Sequence, residues 1–215
     1  MKQSEITLSI GKQTSSGILL LPDRPKEIGV ILAHGAGGNM QAAFIRYFHQ
    51  VIADADYPCL KFNFFYSEAE RKMPDNQKVL ISCYAQAIQA MPAKRVVIGG
   101  KSMGGRIASY LGATEQVAGL LFLGYPLHPP GKHDRLRDSH LYSNQKPMFF
   151  ASGTKDPFAR FDLLESTIAK IGRFATLHTI PDGGHSFEVP KKSGRSQEDV
   201  LRSVKDAILK WLESL

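Results

Sequence analysis

The chain has few of the residues that build disulfide frameworks, and it lacks long apolar runs. Its 215 residues include only two cysteines, Cys59 and Cys83, without metal-ligand spacing, so we expect both to be core residues. No stretch approaches the ~18 apolar residues of a membrane span, and the first ten residues lack the apolar segment of a signal peptide. These absences predict a soluble, cytoplasmic protein with no membrane partner, no metal and no other cofactor.

The positive charge is also not gathered into one patch. The formal net charge is +7, but the basic clusters within residues 132–137 and 191–195 are short and lie among Gly, Pro, Ser or His. That composition is typical of solvated loops, and no aromatic residues are interleaved with the basic ones as in nucleic-acid-binding motifs. We therefore expect no nucleic-acid partner. Attraction of an anionic substrate or a macromolecule is the alternative role of these loops.

Strand and helix patterns alternate along most of the chain. A hairpin of strands 6–10 and 17–21 comes first, paired around the turn 11–16. Further strands are predicted at residues 29–33, 59–65, 95–99, 119–124, 147–152 and 175–180. Helices are predicted at residues 41–54, 77–91, 103–113, 161–171 and 197–215, the last with Ser196 and Asp199 as a capping pair. Alternation of near-continuous apolar strands with helices predicts an α/β fold with a mostly parallel sheet covered on both faces. We expect one domain over residues 1–215.

The most informative motif is Gly100-Lys101-Ser102-Met103-Gly104, a G-x-S-x-G pattern directly after an apolar strand. At such a turn from strand to helix, a serine is presented as a nucleophile, and glycine on both sides relieves the steric conflict of the strained backbone. Gly100-Lys101-Ser102 also ends like a phosphate-binding loop, G-x-x-x-x-G-K-[ST]. Arg95 stands where that loop needs its first glycine, and residues 96–98 are strand, so hydrolysis is the leading interpretation.

Three other polar sites follow predicted strands, and in a parallel sheet such sites meet at one edge. The segment from His34 to Gly38 follows the strand 29–33, Asp156 follows 147–152, and His185 follows 175–180. A serine hydroxyl is a poor nucleophile until an imidazole takes its proton, and the imidazole needs a carboxylate to orient it. Asp182 is a rival for the carboxylate role, but it lies close along the chain to His185.

The order Ser, Asp, His and the segments H-G-A-G-G-N, G-G-K-S-M-G-G-R and G-H-S-F resemble the α/β-hydrolase superfamily. More narrowly, they resemble compact hydrolases related to the dienelactone hydrolases and to the testis-expressed and chromatin-complex group. The resemblance implies Ser102 as nucleophile, His185 as general base and Asp156 as its orienting carboxylate. It also implies an oxyanion hole from the backbone N–H groups of Ala36 and Met103.

His34 resembles a histidine that braces the oxyanion loop in that superfamily. Dienelactone hydrolases carry a cysteine nucleophile, so their substrate is not transferred to this chain.

Only roughly twenty residues separate the strands 119–124 and 147–152, where larger relatives insert a cap domain, so we expect no large cap and an open site. An open site favours a small-molecule carboxylic ester with a small or medium acyl group; thioesters and amides share the chemistry. Tyr125, Leu127, His128 and Phe158 flank strand ends, where they either line the acyl pocket or pack the core. Lys101 either pairs with a carboxylate or attracts an anionic substrate. The alternative function is a non-catalytic interaction protein, and the oligomeric state stays open.

Overall fold

The computed structural model describes residues 1–215 and has eight strands and six α-helices. The strands are β1 (Lys2–Ile10), β2 (Gln13–Leu21), β3 (Ile28–Ala33), β4 (Cys59–Phe62), β5 (Arg95–Lys101), β6 (Val117–Leu123), β7 (Met148–Gly153) and β8 (Ala175–Ile180). The helices are α1 (Ala43–Ala53), α2 (Phe65–Glu68), α3 (Gln77–Ala90), α4 (Met103–Ser109), α5 (Phe161–Ile171) and α6 (Gln197–Leu212).

All eight strands form one sheet in the order β1-β2-β4-β3-β5-β6-β7-β8. The pairings of β2 with β1 and with β4 are antiparallel, and all others are parallel. The predicted α/β class with a mostly parallel sheet is therefore confirmed. Because β3, β5, β7 and β8 run in the same direction, the segments that follow them emerge at one edge of the sheet.

The sheet is covered on both faces, and each face has its own apolar core. One core cluster holds Tyr84 of α3, Ile107 of α4 and Leu164 of α5. The other holds Phe48 of α1 and Trp211 of α6. Helix α6 begins at a capping box in which Ser196 and Asp199 exchange side-chain and backbone hydrogen bonds, as the sequence predicts.

Three predicted elements extend at least three residues too far, among them the last helix, which ends at Leu212 and not at residue 215. The strand predicted at 59–65 ends at Phe62, because its neighbour β3 ends at the paired residue Ala33. The Phe64 N–H then donates to His34 Nε2, and residues 65–68 form the short helix α2. Helix α4 ends at Ser109, well before residue 113, because the following N–H groups bond to carbonyls three residues back and tighten the last turn.

The connection from β6 to β7 contains no inserted domain. Apart from a single 3₁₀ turn at Ser139–Leu141, residues 124–147 form loops. The absence of a cap agrees with the sequence prediction. No helix in the structure has both the length and the apolar character needed to cross a bilayer.

Candidate active site

Ser102 occupies the sharp turn between β5 and α4. Its backbone lies at φ +50° and ψ −115°, outside the regions that most residues adopt, which costs about 1–3 kcal/mol. The Ser102 N–H donates to the Leu123 carbonyl at the end of β6, 3.1 Å away, and this bond anchors the turn to the sheet. The surrounding fold thus holds a strained residue in place, as the G-x-S-x-G pattern predicts.

The glycines of this motif are required because the turn lies against the end of β3. A Cβ on Gly100 would lie 2.1 Å from the Ala33 carbonyl oxygen, and one on Gly104 would lie 2.4 Å from the same atom. Gly100 also has φ +147°, in the region that favours glycine. This close packing brings the nucleophile turn beside the segment from His34 to Gly38.

Three side chains meet at the carboxyl edge of the sheet in one hydrogen-bonded chain. His185 Nε2 lies 2.8 Å from Ser102 Oγ, and His185 Nδ1 lies 2.8 Å from Asp156 Oδ2. The Asp156 side chain is fully buried, whereas the imidazole of His185 keeps 17% of its surface exposed. The arrangement places a base on the serine hydroxyl and a carboxylate behind the base, which is what proton transfer from the hydroxyl requires.

Asp182, the rival acid, is not part of this chain. Its side chain is exposed, and its backbone N–H donates to Thr154 Oγ1, 2.8 Å away, so that it shapes the turn after β8. Asp156 is held instead by the Phe158 N–H, which donates to its Oδ1 at 2.8 Å.

The predicted oxyanion donors, Ala36 and Met103, line the same cavity as Ser102. The Ala36 N–H donates no hydrogen bond within the chain. Met103 is the first residue of α4, where backbone N–H groups lack partners inside the helix and the helix dipole favours negative charge. His34 braces the loop: its Nδ1–H donates to the Gly35 carbonyl and its Nε2 accepts from Phe64 N–H.

Lys101 is hydrogen-bonded to the loop that carries His185. Its Nζ donates to the His185 carbonyl oxygen, 2.8 Å away, and lies 5.7 Å from the centroid of the Phe44 ring. Burial lowers the pKa of Lys101 to about 8, against the opposing pull of Asp156 and Glu188. Lys101 therefore takes neither of its two predicted roles. It forms no direct ion pair with a carboxylate, and it is too buried to attract a substrate from solution.

The cavity at Ser102 has a volume of about 260 Å³. Of the four predicted pocket residues, only Phe158 lines it; its ring centroid lies 4.4 Å from that of His185. Tyr125, Leu127 and His128 do not line it, because all three are buried among core or loop contacts. The Tyr125 hydroxyl donates to the Arg137 carbonyl, and the two His128 nitrogens bond to backbone groups of Pro129 and Arg160.

Several cavity residues are not among the predicted site residues. Arg106 ends the segment G-G-K-S-M-G-G-R and stands four residues after Ser102, so helical spacing alone could have placed it on the same side. Arg137 belongs to the basic cluster 132–137, where attraction of an anionic substrate is only the alternative interpretation, and no motif marks Asp75. A larger depression of about 670 Å³ lies elsewhere, between α1 and strands β2 and β4, and contains none of the predicted catalytic residues.

Comparison with known proteins identifies the family of the chain. The profile of a protein family described as alpha/beta hydrolase domain matches residues 26–213. The chain belongs to this family. A relative, Acyl-protein thioesterase 1 of Neurospora crassa, is 30% identical over 132 residues, which cover 56% of this chain and 54% of that protein. The match thus spans about half of the relative's length.

Solved structures show that the α/β-hydrolase fold extends over the whole chain. An alpha-beta serine hydrolase homologue from Coxiella burnetii superposes with a TM-score of 0.78 at 14% identity, covering 99% of this chain and 98% of the other. A dienelactone hydrolase from Anabaena variabilis gives a TM-score of 0.74 at 20% identity, with coverages of 99% and 97%. At these identities the likeness concerns the fold alone.

Proposed function

We propose that this α/β-hydrolase is a serine hydrolase that cleaves carboxylic esters through an acyl-enzyme intermediate. The observation that carries the proposal is the continuous chain from Ser102 Oγ through His185 to buried Asp156, with both contacts at 2.8 Å. These distances already lie within the range in which a base can take the hydroxyl proton.

In the proposed reaction, Ser102 Oγ attacks the ester carbonyl carbon while its proton passes to His185 Nε2. The carbonyl oxygen becomes an oxyanion, which the N–H groups of Ala36 and Met103 stabilise; loss of one such donor typically costs about 3–4 kcal/mol. The C–O bond to the alcohol then breaks, and the alcohol leaves with the proton from His185. Water repeats the sequence on the acyl-serine, releasing the carboxylic acid and restoring Ser102.

The size of the cavity supports a small or medium acyl group. Its volume of about 260 Å³ is below the range of about 300–1,000 Å³ that is usual for ligand pockets. Ala36, Met103 and Phe158 border it, so an acyl group bound there would have its carbonyl beside Ser102.

A fluorophosphonate probe tests the proposal, since it reacts only with an activated serine. We expect the wild-type chain to be labelled, Ser102→Ala to lose all labelling and Ser186→Ala, which removes an exposed hydroxyl beside His185, to be labelled like wild type. Absence of labelling in the folded wild-type protein would instead favour the non-catalytic interaction protein.

A thioester substrate is the second candidate, because the curated relative is an acyl-protein thioesterase. The same serine, base and oxyanion donors serve both reactions, and only the leaving atom differs. A butyryl oxygen ester and a butyryl thioester of matched leaving-group pKa separate the candidates: a kcat/KM at least about tenfold higher for the thioester favours thioesterase activity.

A further inference from the structure

The cavity at Ser102 is bordered by two arginines that lack carboxylate partners. Arg106 and Arg137 both line it, and neither forms an ion pair with any group of the chain. The Arg106 Nε–H is buried and donates to nothing. The only side-chain hydrogen bond of Arg137 is a long one, 3.4 Å, to the Pro126 carbonyl. Both side chains are half-buried, and a donor such as the Arg106 Nε–H loses water there without gaining a partner, which is costly.

The positive charge of Arg106 acts on two titratable neighbours. Burial lowers the pKa of Arg137, and the positive charge of Arg106 lowers it further. Burial likewise lowers the pKa of nearby His140, and Arg106 again adds to the effect. An anion that contacts both guanidinium groups would offset this repulsion and supply the acceptors that they lack.

Two carboxylates lie near this pair, but neither neutralises it. Asp75 lines the cavity, yet its Oδ1 is occupied by Arg71 at 2.7 Å, and its buried Oδ2 has no donor. Asp138, next to Arg137 in sequence, accepts from Tyr142 and Thr167 instead. The cavity therefore keeps an excess of positive charge beside the nucleophile.

The fold fixes the positions of both arginines at the cavity. Arg106 lies one helical turn beyond Ser102, about 6 Å along the axis of α4. Arg137 is fixed by its backbone: its N–H donates to the Leu127 carbonyl at 2.8 Å, and its carbonyl accepts from the Tyr125 hydroxyl at 2.6 Å. Buried Tyr125 and Leu127 thus position a charged residue at the cavity, although they do not line it themselves.

We propose that the substrate carries an anionic group, a carboxylate or a phosphate, at the far end of its acyl chain, and that Arg106 and Arg137 bind this group. The inference rests on the proposed hydrolase function and specifies its substrate class. Guanidinium groups recognise both anions through paired N–H donors, so the two sources share one chemistry.

Three matched esters test the inference: 4-nitrophenyl hydrogen glutarate, 4-nitrophenyl 4-phosphonobutanoate and the neutral methyl 4-nitrophenyl glutarate. We expect kcat/KM to be at least about tenfold higher for an anionic ester than for the neutral one. Arg106→Gln and Arg137→Gln should each lower this ratio to about threefold or less, and Arg106→Lys should retain part of the preference. The anionic ester with the higher kcat/KM shows whether the site prefers a carboxylate or a phosphate-like group.

Arg160→Gln is the matched control. Arg160 lies two residues from Phe158, but its exposed guanidinium pairs with Asp162 and does not line the cavity, so the preference should stay unchanged. Because Arg106 has no partner to lose, Arg106→Gln should unfold at or above the wild-type temperature. Equal turnover of neutral and anionic esters by wild type, or a preference that survives both glutamine variants, would overturn the inference.

A binding measurement separates this inference from the proposed function. Titration calorimetry with Ser102→Ala compares monomethyl glutarate, which is anionic, with neutral dimethyl glutarate. Tighter binding of the anion, lost when Arg106→Gln is added, supports the anionic subsite even if no ester is hydrolysed. Equal binding of both compounds rejects the subsite and leaves the fluorophosphonate result as the separate test of hydrolysis.

Discussion

Asp156 uses its two carboxylate oxygens for different purposes. Oδ2 faces the His185 imidazole, and Oδ1 accepts the Phe158 N–H at 2.8 Å, so the side chain cannot rotate without losing a bond. The carboxylate thereby fixes the imidazole tautomer in which Nδ1 carries the proton and Nε2 is free to act as base.

We predict that Asp156→Asn lowers kcat for 4-nitrophenyl acetate by about 10³- to 10⁴-fold, because an amide in this position favours the wrong tautomer of His185. Asp182→Asn is the control and should leave kcat unchanged, since that side chain is exposed and makes no contact with His185. The opposite result, an active Asp156→Asn and an inactive Asp182→Asn, would reassign the acid.

Two buried histidines away from the reacting atoms make stability depend on pH. Burial lowers the pKa values of His34 and His49 from 6.5 to about 4. His49 is a buried residue of α1, and its Nε2–H donates to the carbonyls of Ile18 in β2 and Cys59 in β4, both 3.0 Å away. Between pH 6.5 and 4, the unfolded chain therefore binds protons that the folded chain does not, and acidification favours unfolding.

Each such histidine lowers the free energy of unfolding by about 1.4 kcal/mol per pH unit within that window. We predict that urea unfolding of wild type between pH 6.5 and 5 shows this loss of unfolding free energy. When the free energy of unfolding is plotted against pH, the slope for His49→Gln should be smaller by the equivalent of about one bound proton. The absolute stability of the variant does not enter the comparison. An identical slope in both proteins would mean that His49 is protonated in the folded state.

At the scale of elements, the contact between β3 and the nucleophile turn depends on the absence of side chains. The first turn of α4 approaches the end of β3 so closely that even a methyl group on Gly104 would overlap the Ala33 carbonyl. Strand β3 also leads directly into the segment from His34 to Gly38, so the same contact sets the distance between Ser102 and Ala36, a proposed oxyanion donor.

Gly104→Ala should therefore separate β3 from α4, lower the melting temperature and abolish labelling by a fluorophosphonate. Gly35→Ala is the matched control for folding, because a Cβ there would find its nearest neighbours at 3.6 Å, an ordinary contact. Thermal melts of both variants check the prediction. A wild-type melt for Gly104→Ala would show that the turn has room to move.

The sequence predicts most of these elements, because apolar strands and amphipathic helices have clear periodicities. It predicts α5 at 161–171 and β8 at 175–180 with the bounds that the structure has. It misplaces the end of β4 because Phe64 and Phe65 continue the apolar pattern, whereas the pairing strand ends at Ala33. The end of β4 is set by its neighbour in the sheet, and local sequence carries no information about where that neighbour ends.

The residues of the candidate site differ in how far the sequence predicts their positions. Ser102, Asp156 and His185 follow strands, so their convergence is predictable from topology, although their roles stay proposals. Tyr125 also follows a strand, but its side chain turns into the core, and strand position alone does not give that direction. Arg137 reaches the cavity only through a long loop, which no periodicity describes.

At the scale of the whole molecule, the short connection between β6 and β7 leaves the cavity at Ser102 without a cap. Without a cap, little apolar surface covers the cavity of about 260 Å³. We predict that kcat/KM for neutral 4-nitrophenyl esters is highest for acyl groups of roughly two to six carbons and falls steeply by sixteen. Measuring kcat/KM for 4-nitrophenyl esters of increasing acyl length checks this prediction. A kcat/KM that rises steadily with acyl length would contradict it and would require a further apolar surface beside the cavity.

The distance along the chain between Ser102 and His185 has a consequence for synthesis. The two residues are 83 positions apart, and β7 and β8 must both join the sheet before the imidazole reaches the hydroxyl. At about 5–20 residues per second, the ribosome adds His185 about 4–17 s after Ser102. During that interval the nascent chain holds Ser102 without its imidazole partner. Under the proposed mechanism, Ser102 therefore becomes reactive toward esters only after β7 and β8 have joined the sheet.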